Sequence, residues 1–536
     1  MTQKNIPLDG ISGLKQNWKS DVLSGFIVFL IALPLCLGIS LASGAPPMAG
    51  LFSGIVGGLI VSLFSGSYVT INGPAAGLIA VVLHSITVLG GGDNRLGFEY
   101  TLAVIVIAGA IQIILGLIRS GNLTVYFPIS VVHGMMAAIG IIIISKQFYV
   151  ALGITPQAKT ISGLILEMPQ SLSKINPEIG IIGISTILVL IILSRIKNPI
   201  VKKLPAPLMA VLVGVGLGMI FNLDETHTYS LMNNAYEIGP KNLVNLPEHI
   251  SEGLIFPNFG LIGTGGFWLM VVTIALIASI ESLLTASAID KVDPHNRHSN
   301  MNRELIAKGI GNFFLGWIGG LPIIAEVVRS SANVSNGAKT RWSNFFHGLF
   351  LLVFIVFLPG LIHQIPLAAL AGVLIMVGVK LASPEQFIHA YKTGWDQIVV
   401  FLVTVFFTVF EDLLVGVACG ILAKIIIQIA FGVPLKNLFF SDIRITEDHH
   451  AYQFHVKKAL IFSNMISLKR LLNRIPFGRN VDIKFEDIKF VGFSAFDFLQ
   501  DFKRDYELNG GKVNIHGFED LVPVSNHPQA SRHKVN

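Results

Sequence analysis

Three ionisable side chains stand inside apolar stretches of this chain: Glu281, Glu326 and Arg329. A charge at membrane depth is expensive, so each is a functional candidate. Glu281 sits mid-segment in Ile280-Glu281-Ser282-Leu283-Leu284-Thr285-Ala286, and the plainer reading makes it a hydrogen-bond partner for nearby irregular backbone. Arg329, the one arginine among the segments around the breaks described next, either draws an anion or neutralises Glu281 or Glu326. Glu326 has three readings: a carboxylate capping a helix N-terminus, an ion-pair partner of Arg329 three residues on, or a second acceptor for a proton or Na+. The residue types and spacing choose none of them.

The elements that must position these groups are two broken apolar segments. One runs Gly66-Ser67-Tyr68-Val69-Thr70-Ile71-Asn72-Gly73-Pro74-Ala75-Ala76, the other Gly319-Gly320-Leu321-Pro322-Ile323-Ile324-Ala325-Glu326-Val327-Val328-Arg329-Ser330-Ser331. Backbone leaves the helix at membrane depth only where it is buried in protein or lines a cavity. Interrupted helices at matching places in two halves point to a transporter's substrate site. Two half-helix N-termini facing one cavity, each carrying about half a positive charge and unpaired N–H donors, favour an anion.

Composition agrees with a polytopic membrane protein. Of 536 residues, 52% are hydrophobic and 13% charged, against about 25% charged in soluble domains, and the mean hydropathy is +0.68. The net charge of +6 is spread over short loops and implies no nucleic-acid partner. Cys36 and Cys419 lie in apolar segments and read as inert core residues with no disulfide framework. The N-terminus is not a cleaved signal, since the first apolar run, 22–43, exceeds a signal core of about 7–15 residues.

Fourteen segments are expected: 22–43, 48–65, 74–89, 99–118, 128–150, 179–194, 206–223, 266–289, 306–321, 324–337, 343–362, 366–380, 396–411 and 413–431. The third and tenth are half-helices. With the N-terminus in the cytoplasm, the inside stretches hold seventeen Lys and Arg (Lys4, Lys15, Lys19, Arg119, Arg195, Lys197, Lys202, Lys203, Lys291, Arg297, Arg303, Lys308, Lys339, Arg341, Lys380, Lys392, Lys436). The outside ones hold five (Arg95, Lys146, Lys159, Lys174, Lys241), a bias that sets orientation. The loop 224–260 then lies outside and is acid-rich (Asp224, Glu225, Glu237, Glu248, Glu252). Seven segments per half make the second repeat inverted relative to the first.

Beyond residue 440 the pattern changes. Ala451–Val456, Val481–Phe485 and Val513–His516 read as strands, and Asn464–Asn473 and Ser494–Leu508 as amphipathic helices. This is a small cytoplasmic α/β domain over 440–523, followed by a tail, 524–536, expected to be disordered. His84 and His133 could titrate near neutrality, although a satisfied core histidine is the plainer reading. His449, His450 and His455 lack metal-site spacing, and Lys424 is expected to snorkel.

Four stretches now carry a resemblance: Ala32-Leu33-Pro34-Leu35 with Gly44-Ala45-Pro46-Pro47 and Gly50-Leu51; Asn72-Gly73-Pro74-Ala75-Ala76; Glu281-Ser282-Leu283-Leu284-Thr285-Ala286; and Asn302-Arg303-Glu304-Leu305 with Gly309, Gly311-Asn312, Gly319-Gly320-Leu321-Pro322 and Arg329-Ser330-Ser331-Ala332-Asn333. As a set they resemble the SulP (sulfate permease) family of anion transporters, over nearly the whole chain. The resemblance implies an all-α membrane domain over 22–435 of seven-plus-seven inverted repeats after a cytoplasmic stretch 1–21. The core spans about 22–118 and 266–362, the gate about 128–223 and 366–431, and a STAS domain follows. It implies an anion held between the half-helices by Leu35 and Ile39, by Gly73, Pro74 and Ala75, and by Val327, Val328, Arg329 and Ser330, with the core moving as an elevator. It links the acid at Glu281 to proton or cation coupling, with Thr285 and Glu326 as further candidates and a Na+ near Glu281 as the metal ion it admits. No other cofactor is expected. A homodimer in the plasma (inner) membrane, with both termini cytoplasmic, completes the expectation.

The chain departs from the family at the turn before the long helix of the tail domain, where Gly492 and Phe493 replace the usual acid and modified serine. A phospho-switch or nucleotide role there is doubtful, Ser494 suits an N-cap, and assembly is the safer role. The small apolar lining suits a compact oxyanion such as bicarbonate or sulfate, and two acids favour symport over exchange. Two other readings compete: a nucleobase–proton symporter of the same fold, and a channel or non-transporting scaffold acting through the tail domain. Nothing resembles a hydrolytic or redox site, so an enzyme is not expected.

Overall fold

The structure is a computed structural model describing residues 6–122, 127–158, 160–196, 198, 204–231, 234–247, 249–411, 413–447, 451–472, 474–476, 478–518 and 521–534. Lys4, Lys159, Lys197, Lys202, Lys203, Glu248, His449 and His450 lie outside the described residues.

All fourteen expected segments carry helix. The first half begins with α1 (Gly10–Ala42), entered at Asp9, whose carboxylate accepts from Gly10 N at 2.8 Å. Then comes α2 (Pro47–Val56), with proline at the position where a missing N–H costs nothing. It runs through a π turn, Gly57–Val61, into the short α3 (Ser62–Phe64). Extended β1 (Asn72–Pro74) and a 3-10 turn, Ala76–Leu78, precede α4 (Ile79–Gly90). The half continues with α5 (Asn94–Leu117), α6 (Ile129–Ala151), α7 (Ile161–Ser171), α8 (Pro177–Arg195) and α9 (Ala206–Ile220), then a hairpin of β2 (His227–Leu231) and β3 (Asn234–Ile238).

The second half repeats the order: α10 (Gly265–Val292), α11 (Met301–Ile318), extended β4 (Ile323–Ala325), α12 (Val327–Ser335), α13 (Trp342–Phe357) with α14 (Pro359–His363), α15 (Leu367–Leu381), α16 (Pro384–Thr393), α17 (Trp395–Phe410) and α18 (Leu413–Ala430). Among the described residues, eight helical stretches are long and apolar enough to cross a membrane, with four shorter apolar helices beside them. The protein is a multi-pass membrane protein. Helices α7 and α16 were not expected; α16 is too polar, with Glu385, Gln386, His389 and Lys392, to register as an apolar segment.

The chain forms two compact units, residues 1–121 with 139–380 and residues 122–138 with 381–536. The division cuts across the expected gate: α7–α9 share the first unit with the core helices, and α16–α18 fall in the second.

In the first unit, close helix crossings rest on paired glycines. A Cβ on Gly309 of α11 would lie 2.6 Å from the Gly109 carbonyl of α5, and one on Gly109 would lie 2.8 Å from the Gly309 carbonyl. The mirrored crossing joins the π turn to α13, where a Cβ on Gly348 would lie 2.7 Å from the Gly58 Cα. Small residues let backbones approach where lipid supplies no hydrophobic drive.

The second unit contains the C-terminal domain: β5 (Asp442–Glu447), β6 (Ala451–Leu460), α19 (Met465–Leu472), β7 (Asn480–Val491), α20 (Phe493–Leu508), β8 (Lys512–His516), β9 (Val522–Pro523) and β10 (Arg532–His533). Strands β6, β7 and β8 are parallel, while β5 and β10 join antiparallel. Phe454, Val456, Ile483, Phe485, Leu499 and Tyr506 fill its core. Three expectations are corrected here. The tail is not a loose end: β10 pairs with β7 and β9, and Ser531 is fully buried. Ser494 is not an N-cap, because the cap is Gly492 and makes no side-chain cap bond. Lys424 does not snorkel; it is buried and its Nζ donates to Asp396 at 3.0 Å.

Candidate functional site

The two breaks meet. Strands β1 and β4 pair antiparallel, with Asn72 opposite Ala325, Gly73 opposite Ile324 and Pro74 opposite Ile323. Glu326 N continues the contact to Ile71 O at 2.9 Å. Two irregular segments from opposite halves thus supply part of each other's backbone bonding, which apolar surroundings demand.

Buried side chains satisfy much of the rest. Asn312 of α11 accepts from Ile323 N at 2.7 Å, and its amide donates to Ile323 O at 3.3 Å and Gln112 Oε1 at 2.7 Å. Asn333 donates to Val69 O at 2.8 Å and accepts from Ser24 Oγ at 2.7 Å. Asn344 accepts from Asn72 N at 3.3 Å and donates to Gly57 O at 2.9 Å. Glu304, ion-paired to Lys308 on the next turn, accepts from Ser65 Oγ at 2.7 Å and Gly66 N at 2.9 Å, at the point where the first segment leaves its helix. Lys308 is therefore an internal cation, not one of the loop charges counted for orientation. Sequence reading gave none of these side chains a role. Their signal was polarity within apolar helices; Glu304, Asn312 and Asn333 stood inside the quoted motifs.

Arg329 lies fully buried between the half-helices. One terminal nitrogen donates to the Pro74 carbonyl and the other approaches Cys36 Sγ at 3.6 Å. Nε lies 3.5 Å from Glu326 Oε2. Gly73 is needed for this fit, since a Cβ there would sit 2.6 Å from the guanidinium Nη1. Glu326 is the N-cap of α12: the same Oε2 accepts from Arg329 N at 2.6 Å. Two of its three readings, cap and ion pair, thus hold together. Ser330 turns its hydroxyl to Ile71 N at 2.9 Å.

A second carboxylate reaches the other half-helix. A Cβ on Gly77, in the 3-10 turn ahead of α4, would lie 2.5 Å from the Glu281 carboxyl carbon. Only glycine lets Glu281 come so near that N-terminus. Thr285 is buried one turn further along α10. Each half-helix N-terminus therefore has its own carboxylate, and Arg329 pairs with Glu326 while reaching Pro74 of the first break.

Leu35 and Ile39 on α1 are buried, as is Ala75, while Val327 and Val328 open the first turn of α12 at 46% and 42% exposure. The structure gathers Cys36, Gly73, Pro74, Glu326, Arg329 and Ser330 at one point, with Glu281 at Gly77 beside them. Among the described residues no cluster of three or more His, Cys, Asp or Glu could hold a metal ion.

A sequence profile described as the Sulfate permease family matches residues 18–404. The "Putative sulfate transporter YvdB" of Bacillus subtilis is 25% identical over 97% of this chain and 95% of its own length. The "Bicarbonate transporter BicA" of Picosynechococcus sp. is 27% identical over 81% of this chain and 73% of its own. The solved transmembrane domain of a cyanobacterial bicarbonate transporter BicA superposes with a TM-score of 0.62 at 24% identity, covering 76% of this chain and 98% of that one. SLC26A9 superposes with a TM-score of 0.66 at 15% identity, covering 94% of this chain and 84% of that one, and so shares the fold. With a match across most of its length and helix breaks that pair as described, the chain belongs to the sulfate permease family.

Proposed function

We propose that the protein is a secondary active transporter of a small inorganic oxyanion, bicarbonate or sulfate, coupled to an inward cation, Na+ or H+. The observation that carries this reading is the charge at the paired half-helices. Glu281 and Glu326 bring two negative charges and Arg329 one positive, leaving the empty site net negative when both acids are ionised. An anion entering such a site needs a cation or proton with it. Glu281 and Thr285, one turn apart on α10, are the proposed holders of that ion. The anion lies at the open first turn of α12, against Val327 and Val328, within reach of the N–H groups that Glu326 leaves uncapped. Strand β1 and Arg329 join the two half-helices through backbone contacts, which suits a core that moves as one body in an elevator cycle. The excess of Lys and Arg in alternate loops supports cytoplasmic termini in a plasma (inner) membrane.

Proteoliposome uptake tests the reading. Labelled bicarbonate and sulfate are offered under an imposed Na+ or H+ gradient. Saturable accumulation that collapses when the cation gradient is removed is the expected result; linear, gradient-independent flux would identify a channel instead. No observation favours the nucleobase symporter.

A further inference from the structure

Residues 521–534 tie the C-terminal sheet to membrane helices of the same unit. Strand β10 binds the edge of β7, with Arg532 opposite Val491 and His533 opposite Phe490. Ser525 Oγ donates to Thr393 O at 2.7 Å at the end of α16. Ser531 Oγ donates to Asp396 Oδ2 at 2.9 Å at the start of α17, and accepts from Phe493 N at 3.2 Å.

Three histidines line up where this strap crosses α16. The His527 ring of the strap lies 5.8 Å from that of His389 on α16, and His389 lies 6.4 Å from His133 on α6, centroid to centroid. His527 also meets Phe493 edge-on at 6.5 Å. Water reaches this line, because His389 is exposed and His527 half-buried, and His133 and His389 border one small cleft with Ser130, Thr393 and Gln397.

Among the described residues, no carboxylate is ion-paired to these three rings. Asp396 on α17 accepts through Oδ2 from Lys424 of α18 at 3.0 Å, Gln397 at 2.6 Å and Ser531, while its Oδ1 is buried without a partner. Glu385 and Lys392 on α16 are of opposite sign, and α20 has no acid in its first turn. On the strap itself, Arg532 lies over Phe496 and Phe518 at 5.5 and 5.0 Å, Lys534 lies 3.8 Å from Asp487, and His533 stacks on Phe431 at 4.9 Å.

We infer that the strap is an acid-released latch: protonation where His527 of the strap meets His389 of α16 loosens residues 521–534 from α16 and α17. Adjacent imidazolium rings repel each other, and undocking is the route by which His527 escapes its neighbours. Partial burial, with His389 alongside, already holds the His527 imidazole below the usual histidine range. A depressed histidine is docked neutral, so docking is fully present above the undocked value of about 6.5 and weakens as pH falls below it. The latch stands independently of the transport reading.

The test is hydrogen exchange of the full-length protein in lipid nanodiscs at pH 7.5 and 5.5, corrected for the intrinsic pH dependence. Exchange in 521–534 should rise at pH 5.5 by up to about tenfold, the ceiling set by one histidine charging a pH unit below its undocked value. The β6–β7 peptides should hold at both pH values. His527→Gln and His389→Gln should each keep the strap protected at pH 7.5 and flatten the response. Equal protection of the wild-type strap at both pH values overturns the latch, as does a response that survives in both variants. Loss of protection throughout β6–β7 at pH 5.5 overturns it too, because the strap is then not the responding element.

Discussion

Arg329 touches three unlike neighbours at once, a carbonyl, a thiol and a carboxylate, so its removal does more than delete a charge. Arg329→Ala should weaken anion affinity at least about tenfold, or roughly 1.4 kcal/mol, and Arg329→Lys should recover only part, since an ammonium cannot serve three directions. Adding Glu326→Ala to Arg329→Ala relieves the unpaired acid but not the lost Pro74 contact. The double variant should therefore regain less than half of the lost uptake. Full recovery in a four-variant affinity measurement would reduce Arg329 to a neutraliser of Glu326. Glu281→Gln should abolish concentrative uptake while thermal unfolding and exchange down a substrate gradient persist; normal accumulation by this variant under the same cation gradient would remove Glu281 from coupling. Glu281, Glu326 and Arg329 stood out in the sequence because ionisable groups in apolar runs are rare. That Glu326 caps α12 and pairs with Arg329 at once was not legible, since both roles need the same three-residue spacing and only the side-chain geometry shows one oxygen filling both.

At the scale of elements, the two helix breaks were readable from their glycines and prolines, but their pairing was not. Strand contacts of three residues leave no periodicity in the sequence, and the asparagines that hold them look alike whether they face a partner helix or a cavity. Asn312→Ala tests that frame. It leaves Ile323 N and the Gln112 Oε1 without their buried partner, at about 1–3 kcal/mol for each unsatisfied group. The expected outcome is a lower midpoint of thermal unfolding in detergent. The glycine crossings give a sharper contrast. Gly309→Val forces a side chain against the Gly109 carbonyl and should destabilise by about 1–3 kcal/mol. Gly216→Ala, in α9 with nothing within 4 Å, should be neutral or stabilising by up to about 1 kcal/mol. If both variants unfold at the same temperature, the close crossing is not a stabilising contact.

Across the whole molecule, fourteen segments and a separate α/β domain were legible because hydrophobic runs and alternation are long-range patterns. The edge strand β5 and the returning β10 were not, since both are polar and short, and the division of the chain into its two compact units leaves no mark on composition. Deleting residues 440–536 takes away Ser531 from Asp396 and the whole C-terminal sheet, but nothing at the β1–β4 junction. Activity or stability should fall, while the ratio of bicarbonate to sulfate uptake stays as in the full chain. A changed ratio in the truncated protein would move part of the selectivity out of the membrane helices.

The β1–β4 junction also sets a problem of timing during synthesis. Pro74 and Arg329 are 255 residues apart, so at about 5–20 residues per second the first break waits roughly 12–50 s for its partner. Through that interval the polar backbone of Asn72–Pro74 cannot rest in lipid unaided, and must stay hydrated or be sheltered by the insertion machinery. Nascent chains halted before β4 emerges should accordingly leave a cysteine placed by Ser67→Cys, in a background lacking Cys36 and Cys419, open to a water-soluble maleimide. Chains released after α12 should protect it.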